Sequence, residues 1–285
     1  MMNFSVKALR VAVVALIFLN SNVSFAQITG DSFQSAKSSG TANLKYVYTG
    51  VKGFANQEGN EVKGLLIDLM REFEIFVQDK HGITVKANFV QVANSDFQQF
   101  LDDVKNGSGG VFGLNTTTIK EERKNFLKFS PAYLNNISVL VSHKNIATLS
   151  SIDNIGSEFR SLTAITAPGT TYEKRIQEVK SAQFPGLRIK EVAGEYDIVD
   201  GVIADPNSFG FVDISYYLEY LKDGKPIKRH PAGDKGGEQY GIIMPMNSDW
   251  QPVITEFLNS GFLSSPKYRQ IVINQLGKGA LRMLK

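Results

Sequence analysis

The chain has 285 residues, of which 42% are apolar, 21% are charged and none is cysteine. A globular protein of this length can build two lobes with separate cores, at about 100 to 150 residues each. Without cysteine, no disulfide, cysteine-borne lipid anchor or cysteine nucleophile is expected.

Lys7 and Arg10 precede nine consecutive apolar residues, Val11 to Leu19, and Ser24-Phe25-Ala26 places small residues where a signal peptidase wants them. That is the arrangement of a secretory signal, with cleavage expected after Ala26. The apolar run is too short for a hydrocarbon core that needs about 20 residues, so a soluble, exported, freely diffusing chain is expected. Loss of Lys7 and Arg10 turns the formal charge of +3 into 29 basic residues against 28 acidic ones. Nucleic-acid binding then has no electrostatic support.

Residues 27–43 are polar and rich in Ser and Gly, and read as a flexible leader. Leu44 to Thr49 follows as a first strand. Leu66, Leu69, Met70, Phe73 and Phe76 then share one helical face between Gly64 and Gly82. The alternating stretch from Ile83 to Val90 predicts a strand, and Phe97, Phe100, Leu101 and Val104 predict a second helix closing at Gly107. Val111 to Leu114 gives a third strand, so the rhythm is that of an open α/β sheet, which binds ligands at the carboxyl ends of its strands.

The segment from Asn115 to Tyr133 occupies that place. Thr116, Thr117 and Thr118 set three hydroxyls in a row, and Thr118 with Glu121 has the spacing of a capping box. A helix is predicted to begin near Ile119, with Arg123 in its first turn. A helix start presents unpaired N–H donors and the positive end of a dipole, and the guanidinium adds a fork shaped for a planar anion. The bland alternative is a solvated arginine on an exposed helix.

A second rhythm follows. Ile137 to Ser142 predicts a strand, with a crossing between lobes at residues 142–147, and Leu162 to Ala167 predicts another. Gly169 then leads into Thr170 and Thr171 at a second helix start, where Glu173 completes a capping box from Thr170. Taken alone, such a start is usually only a cap. Phe209 to Asp213 reads as a strand ending in an acid, which has a rival in Asp205 at a turn. Asp213 could equally cap the helix that begins at Ile214. Tyr240 to Met246 is expected to return to the first lobe after the glycine-rich stretch before it. His81, His143 and His230 are scattered and lack metal-ligand spacing. No nucleophile elbow, P-loop or dinucleotide fingerprint is present, so no metal, cofactor or catalytic residue is expected.

Thr116, Thr118, Arg123, Phe129, Ser130 and Tyr133 together resemble the signature of the extracellular solute-binding proteins of family 3, the polar amino-acid binding proteins of ABC importers. Pro131 stands one place early, with Ala132 where that family has its proline. The resemblance runs from about Leu44 to Leu284 and implies an α/β, two-lobed periplasmic binding protein fold of type II. Each lobe would be a mixed sheet flanked by helices, joined by two crossovers. One lobe would comprise residues 44–142 and 236–285, and the other 143–235.

The resemblance further implies roles. Arg123 would grip an α-carboxylate with help from Thr118 and the backbone near Thr116. Thr171, after Thr170, would offer its N–H from the other lobe, and Asp213 would hold the α-amino group. The implied protein is a periplasmic monomer that delivers an amino acid or similar zwitterion to an inner-membrane ABC permease. A dehydratase-like enzyme on the same fold, with Glu238 or Asp205 as its acid or base, and a ligand-sensing partner of a membrane receptor are the alternatives. The family's stacking aromatic near the first strand has no clear counterpart beyond Phe54 or Tyr48, and Gly110 stands where relatives often carry an acid.

Overall fold

The computed structural model describes residues 27–284, so the expected signal segment and its cleavage point lie outside the described residues. The first of two five-stranded sheets runs in the order Thr84–Gln91, Thr41–Tyr48, Val111–Gly113, Ile243–Met244, Lys128–Phe129. Its first three strands are parallel, and Ile243–Met244 lies antiparallel to both of its neighbours. Two helices cover it, Leu65–His81 and Phe97–Lys105. The first buries Leu66, Leu69, Met70 and Phe73, as their spacing predicts, and stops where Gly82 turns left-handed at φ 68° and bonds back to Gln78. The second is capped by Asp96, whose carboxylate accepts from the Gln99 N–H.

The second sheet runs in the order Ile227–Tyr240, Leu134–His143, Ser208–Asp213, Thr163–Thr166, Arg188–Glu191. The strand Leu134–His143 was expected in the first lobe up to residue 142, yet its whole length pairs here, antiparallel to Ser208–Asp213 and to Ile227–Tyr240. The chain therefore leaves the first sheet after Phe129 and returns at Ile243, and on this pairing we propose a division into 27–133 with 241–284 and 134–240.

Residues 227–240 form one long strand where Pro231 and a run of glycines read as a loop. Two register shifts, between His230 and Lys235 and between Gly236 and Glu238, absorb those residues at the edge of the sheet. Bulges and edge positions are where proline and glycine are tolerated in a ladder. His230, next to the first shift, is buried. Its Nδ1 accepts from the Leu149 N–H at 3.0 Å and its Nε2 lies 2.7 Å from Ser142 Oγ, which fixes a neutral ring protonated on Nε2. Burial and the Lys228 charge push its pKa down to about 4.

The expected flexible leader is a structured strap. Ser32 caps a helix, Phe33–Ser39, that ends at left-handed Gly40, and the first strand begins at Thr41. Residues far along the chain hold it. Asp249 accepts from the N–H groups of Phe33 and Gln34 at 2.7 and 3.0 Å, and Trp250 Nε1 donates to Asp31 O at 2.8 Å. Phe33 meets the fully buried Trp250 ring edge-on at 5.1 Å. This strap also explains Gly110, since a Cβ there would lie 2.6 Å from Asp31 O and 2.5 Å from Leu44 Cδ2.

Replacing Asp249 with Ala removes both cap bonds and is expected to cost about 1 kcal/mol, roughly 2–4 °C in melting temperature for a chain of this size. Thermal unfolding followed by circular dichroism measures it, and an unchanged melting temperature would refute the strap.

Candidate functional site

One strand end of the first sheet and two neighbouring strand ends of the second lead into the candidate site. Val111–Gly113 leads into Asn115–Thr118, Thr163–Thr166 leads into Gly169–Thr171, and Ser208–Asp213 ends on its acid. Asn115 fixes the first turn. Its amide donates to Thr49 Oγ1 at 2.9 Å, while its Oδ1 accepts from the Thr116 N–H at 2.6 Å and from Thr116 Oγ1 at 3.2 Å.

The capping box predicted at Thr118 does not form. The helix there is four residues long, Glu121–Lys124, and Lys120 precedes it without a side-chain cap. Thr118 and Ile119 instead pair with the long edge strand, through a bridge from Thr118 to Tyr240 and a bond from the Ile119 N–H to Gln239 O. Backbone pairing satisfies the donors that a cap would have served, and Glu121 turns outward to Lys124. No macrodipole of useful size therefore backs Arg123.

The guanidinium is held another way. It is 7% exposed, lies 5.2 Å from the Phe97 ring centre, and donates to Thr118 O at 2.9 Å and to Gly169 O at 2.7 Å. The last bond crosses from one lobe to the other. Burial lowers its pKa, and the charge of Glu195 opposes that shift.

Thr170 caps the Thr171–Ala182 helix as expected, accepting from the Glu173 N–H at 3.2 Å. The Glu173 carboxylate reaches one residue further back than a capping box requires, to the Gly169 N–H at 2.8 Å. The Thr171 N–H stands among the donors that a helix start leaves without an intrahelical partner. Thr116, Thr118, Arg123, Thr170 and Thr171 line one cavity of about 10 Å³, with Phe97, Tyr172 and Glu195 completing it. That space is about one water, so the described conformation is closed. Arg123, Thr170 and Thr171 also border an open groove of about 440 Å³ outside it.

Asp213 does not line the small cavity. It is 1% exposed, and Asn136 donates to its Oδ1 and also to Glu238 Oε2, at 3.1 Å. Among the described residues its Oδ2 has no bonding partner, and neither have Asn136 Oδ1, Tyr216 OH and Tyr240 OH. Burial raises the Asp213 pKa to about 7. The Tyr172 and Tyr240 hydroxyls, which face the carboxylate without closing a bond of good geometry, offset part of that rise, and the Glu238 and Glu195 charges add to it. Four unfilled polar atoms in one buried cluster are what a polar ligand would complete. Asp205, the rival, is exposed at the opposite end of its strand, where its Oδ1 accepts from the Asn207 N–H at 3.0 Å.

Sequence reasoning missed Glu195, Tyr172, Tyr216, Tyr240 and Asn136. Glu195 opens the Glu195–Ala204 helix, and an acid in a first turn ordinarily reads as decoration of the dipole. Here it is 5% exposed, and burial raises its pKa to about 7 although Arg123 pulls it down.

Sheet order, two crossings and a cleft at the strand ends define the two-lobed periplasmic binding protein fold. No family model and no curated protein matches the chain. Solved structures do. An ancestral arginine-binding protein bound to arginine is 20% identical over 82% of this chain and 98% of its own, with a TM-score of 0.66. A substrate-binding protein of an ABC uptake transporter from Streptococcus pneumoniae with bound histidine is 16% identical over 88% and 98%, TM-score 0.68. The ancestral amino acid-binding protein AncCDT-1, a precursor of cyclohexadienyl dehydratase, is 16% identical over 85% and 98%, TM-score 0.67. At these identities the likeness is one of fold.

The two acids set a pH dependence. Unfolded Asp and Glu titrate near 3.9 and 4.3, so between about pH 4 and about pH 7 the closed protein binds more protons than the unfolded chain and loses stability as pH rises. Relative to Glu195→Gln or Asp213→Asn, the wild type is expected to lose melting temperature from pH 5 to pH 8. Parallel pH profiles for wild type and variants would show that the acids are not desolvated.

Proposed function

We propose that the protein belongs with the solute-binding proteins of family 3 and captures an amino acid or similar small zwitterion between its lobes. One observation carries this reading. Arg123, in the short helix Glu121–Lys124, and Asp213, at the end of Ser208–Asp213, are both buried, Glu195 shares a cavity wall with Arg123 and acts on Asp213 through its charge, and Asp213 keeps an unfilled oxygen beside unfilled hydroxyls. A carboxylate entering the cleft would replace Gly169 O on the guanidinium, exchanging a neutral acceptor for a charged one that bonds about twice as strongly. An ammonium would meet Asp213 and the Tyr216 and Tyr240 hydroxyls. Opposite charges on opposite lobes favour closure, because only the closed state satisfies both ends of the ligand. Thr116, Thr118, Thr170 and Thr171 line the cavity on the Arg123 side.

In this reading the protein is exported, acts as a monomer outside the inner membrane, and hands its solute to an ABC permease. The neighbours that bind arginine and histidine support the solute class.

A second reading has its own observation. Two carboxyls with pKa raised to about 7 in a dry cleft are also the equipment of a general acid, and a neighbour is a dehydratase precursor. Turnover of prephenate or arogenate by the purified protein would replace the carrier by an enzyme.

Arg123→Ala is expected to weaken binding of the best amino acid by roughly thirtyfold to several thousandfold, as losing one partner of a desolvated charge pair costs about 2–5 kcal/mol. Isothermal titration calorimetry decides it. Equal affinity for wild type and variant would remove Arg123 from the site.

A further inference from the structure

We propose that the ligand of the cleft is a dibasic amino acid, and that Glu195 is the specificity-determining residue that receives the cation of its side chain. The inference rests on the reading of the cleft as an amino-acid site and narrows the class.

Glu195 lies on the cavity wall with Arg123 and Tyr172. It is more than nine-tenths buried, and among the described residues no cation lies within ion-pair distance of its carboxylate. A glutamate serving only the dipole of its helix would stand in water, as exposed first-turn acids do. This one opens a helix whose Ile198, Val199 and Val202 are all buried, and its carboxyl turns inward.

The charges then count as follows. Arg123 brings one positive charge to the cleft, and Glu195 and Asp213 bring two negative ones. Glu238 is a third acid, but Lys120 Nζ stands 3.7 Å from it. Arg175, bonded to Ser138 Oγ at 2.7 Å and Gly233 O at 2.6 Å, adds a second favourable charge toward Glu238. The ligand-contacting set is therefore left with one negative charge in excess. A buried site tolerates an uncompensated charge badly.

A ligand with one carboxylate and two cationic groups brings the site to neutrality. Its carboxylate takes Arg123, its α-ammonium takes Asp213, and its second cation takes Glu195. A neutral amino acid leaves one carboxylate to be met by a proton, and an acidic one leaves two. The groups facing Glu195 are Arg123, Asp197 on its own helix, Tyr172, Tyr216 and Asp213. None of them besides Arg123 is a cation. Raising the pH through about 7 therefore favours the dibasic ligand and disfavours the neutral one.

The test is calorimetric titration of the mature full chain at pH 8 with lysine, arginine, glutamine and glutamate, for wild type, Glu195→Gln and Glu238→Gln. The expected result is that lysine or arginine binds about tenfold or more tightly than glutamine. Glu195→Gln should remove that preference while binding glutamine at least as tightly as the wild type does, and Glu238→Gln should keep it. Retained glutamine binding shows that the variant folds. Glutamine or glutamate binding tightest to the wild type, or a preference that survives Glu195→Gln, would overturn the inference and leave the amino-acid site standing. No binding of any of the four to the wild type would overturn both.

Discussion

One guanidinium holds the two halves of this cleft in register. Arg123 bonds a carbonyl of its own lobe, Thr118 O, and a carbonyl of the other, Gly169 O, while Phe97 supports its flat face. Both acceptors are neutral, so neither discharges the cation. A buried arginine whose bonds all go to neutral oxygens remains a strong attractor for an anion. The same side chain borders both the inner cavity of about 10 Å³ and the outer groove of about 440 Å³.

The opposite end of the cleft is built on the same principle with the sign reversed. Asp213 sits at the end of a strand whose six residues are all buried, and its support is an amide, Asn136, that it shares with Glu238. An amide orients a carboxylate without neutralising it. Tyrosines surround the acid, and their hydroxyls can donate to a carboxylate or accept from an ammonium. The groups bonded directly to Arg123 and Asp213 are carbonyls and an amide, and among the described residues neither Asp213 nor Glu195 forms an ion pair.

Much of this was legible in the chain because it follows from short-range rules. The helical face from Leu66 to Phe73, the glycines that end it, the Thr170 cap and the strand ending at Asp213 are all local patterns, and all appear where their spacing puts them. The hydroxyl run at Thr116 and Thr118 and the arginine beyond it do line one cavity with Thr170 and Thr171. What failed were inferences in which a distant segment overrides a local preference. Thr118 pairs with Tyr240 instead of capping. The polar leader becomes a helix because Asp249 and Trp250 hold it, over 200 residues away in sequence. The glycine-rich stretch becomes a strand because Leu134–His143 offers it a ladder. Glu195 was invisible for a different reason: exposed and buried acids look alike at a helix start, and only the packing of its helix tells them apart.

The energetics of closure follow from where the charges are. The rim contacts between lobes are weak: Glu122 meets Lys174 at 2.9 Å with both side chains more than half exposed, a pair of the kind that contributes about 0–1 kcal/mol. The other rim is better built. The Lys52 N–H donates to the Tyr196 oxygen at 2.9 Å, the Tyr196 hydroxyl donates to Glu219 at 3.0 Å, and Lys52 Nζ closes the triangle at 2.7 Å. Against these contacts stands the burial of Glu195 and Asp213, which raises both pKa values to about 7 and costs stability as pH rises toward that value. Under the reading proposed above, a ligand that pairs with these acids would add a charge-assisted bond to each, more than an exposed rim pair contributes, and so would favour closure.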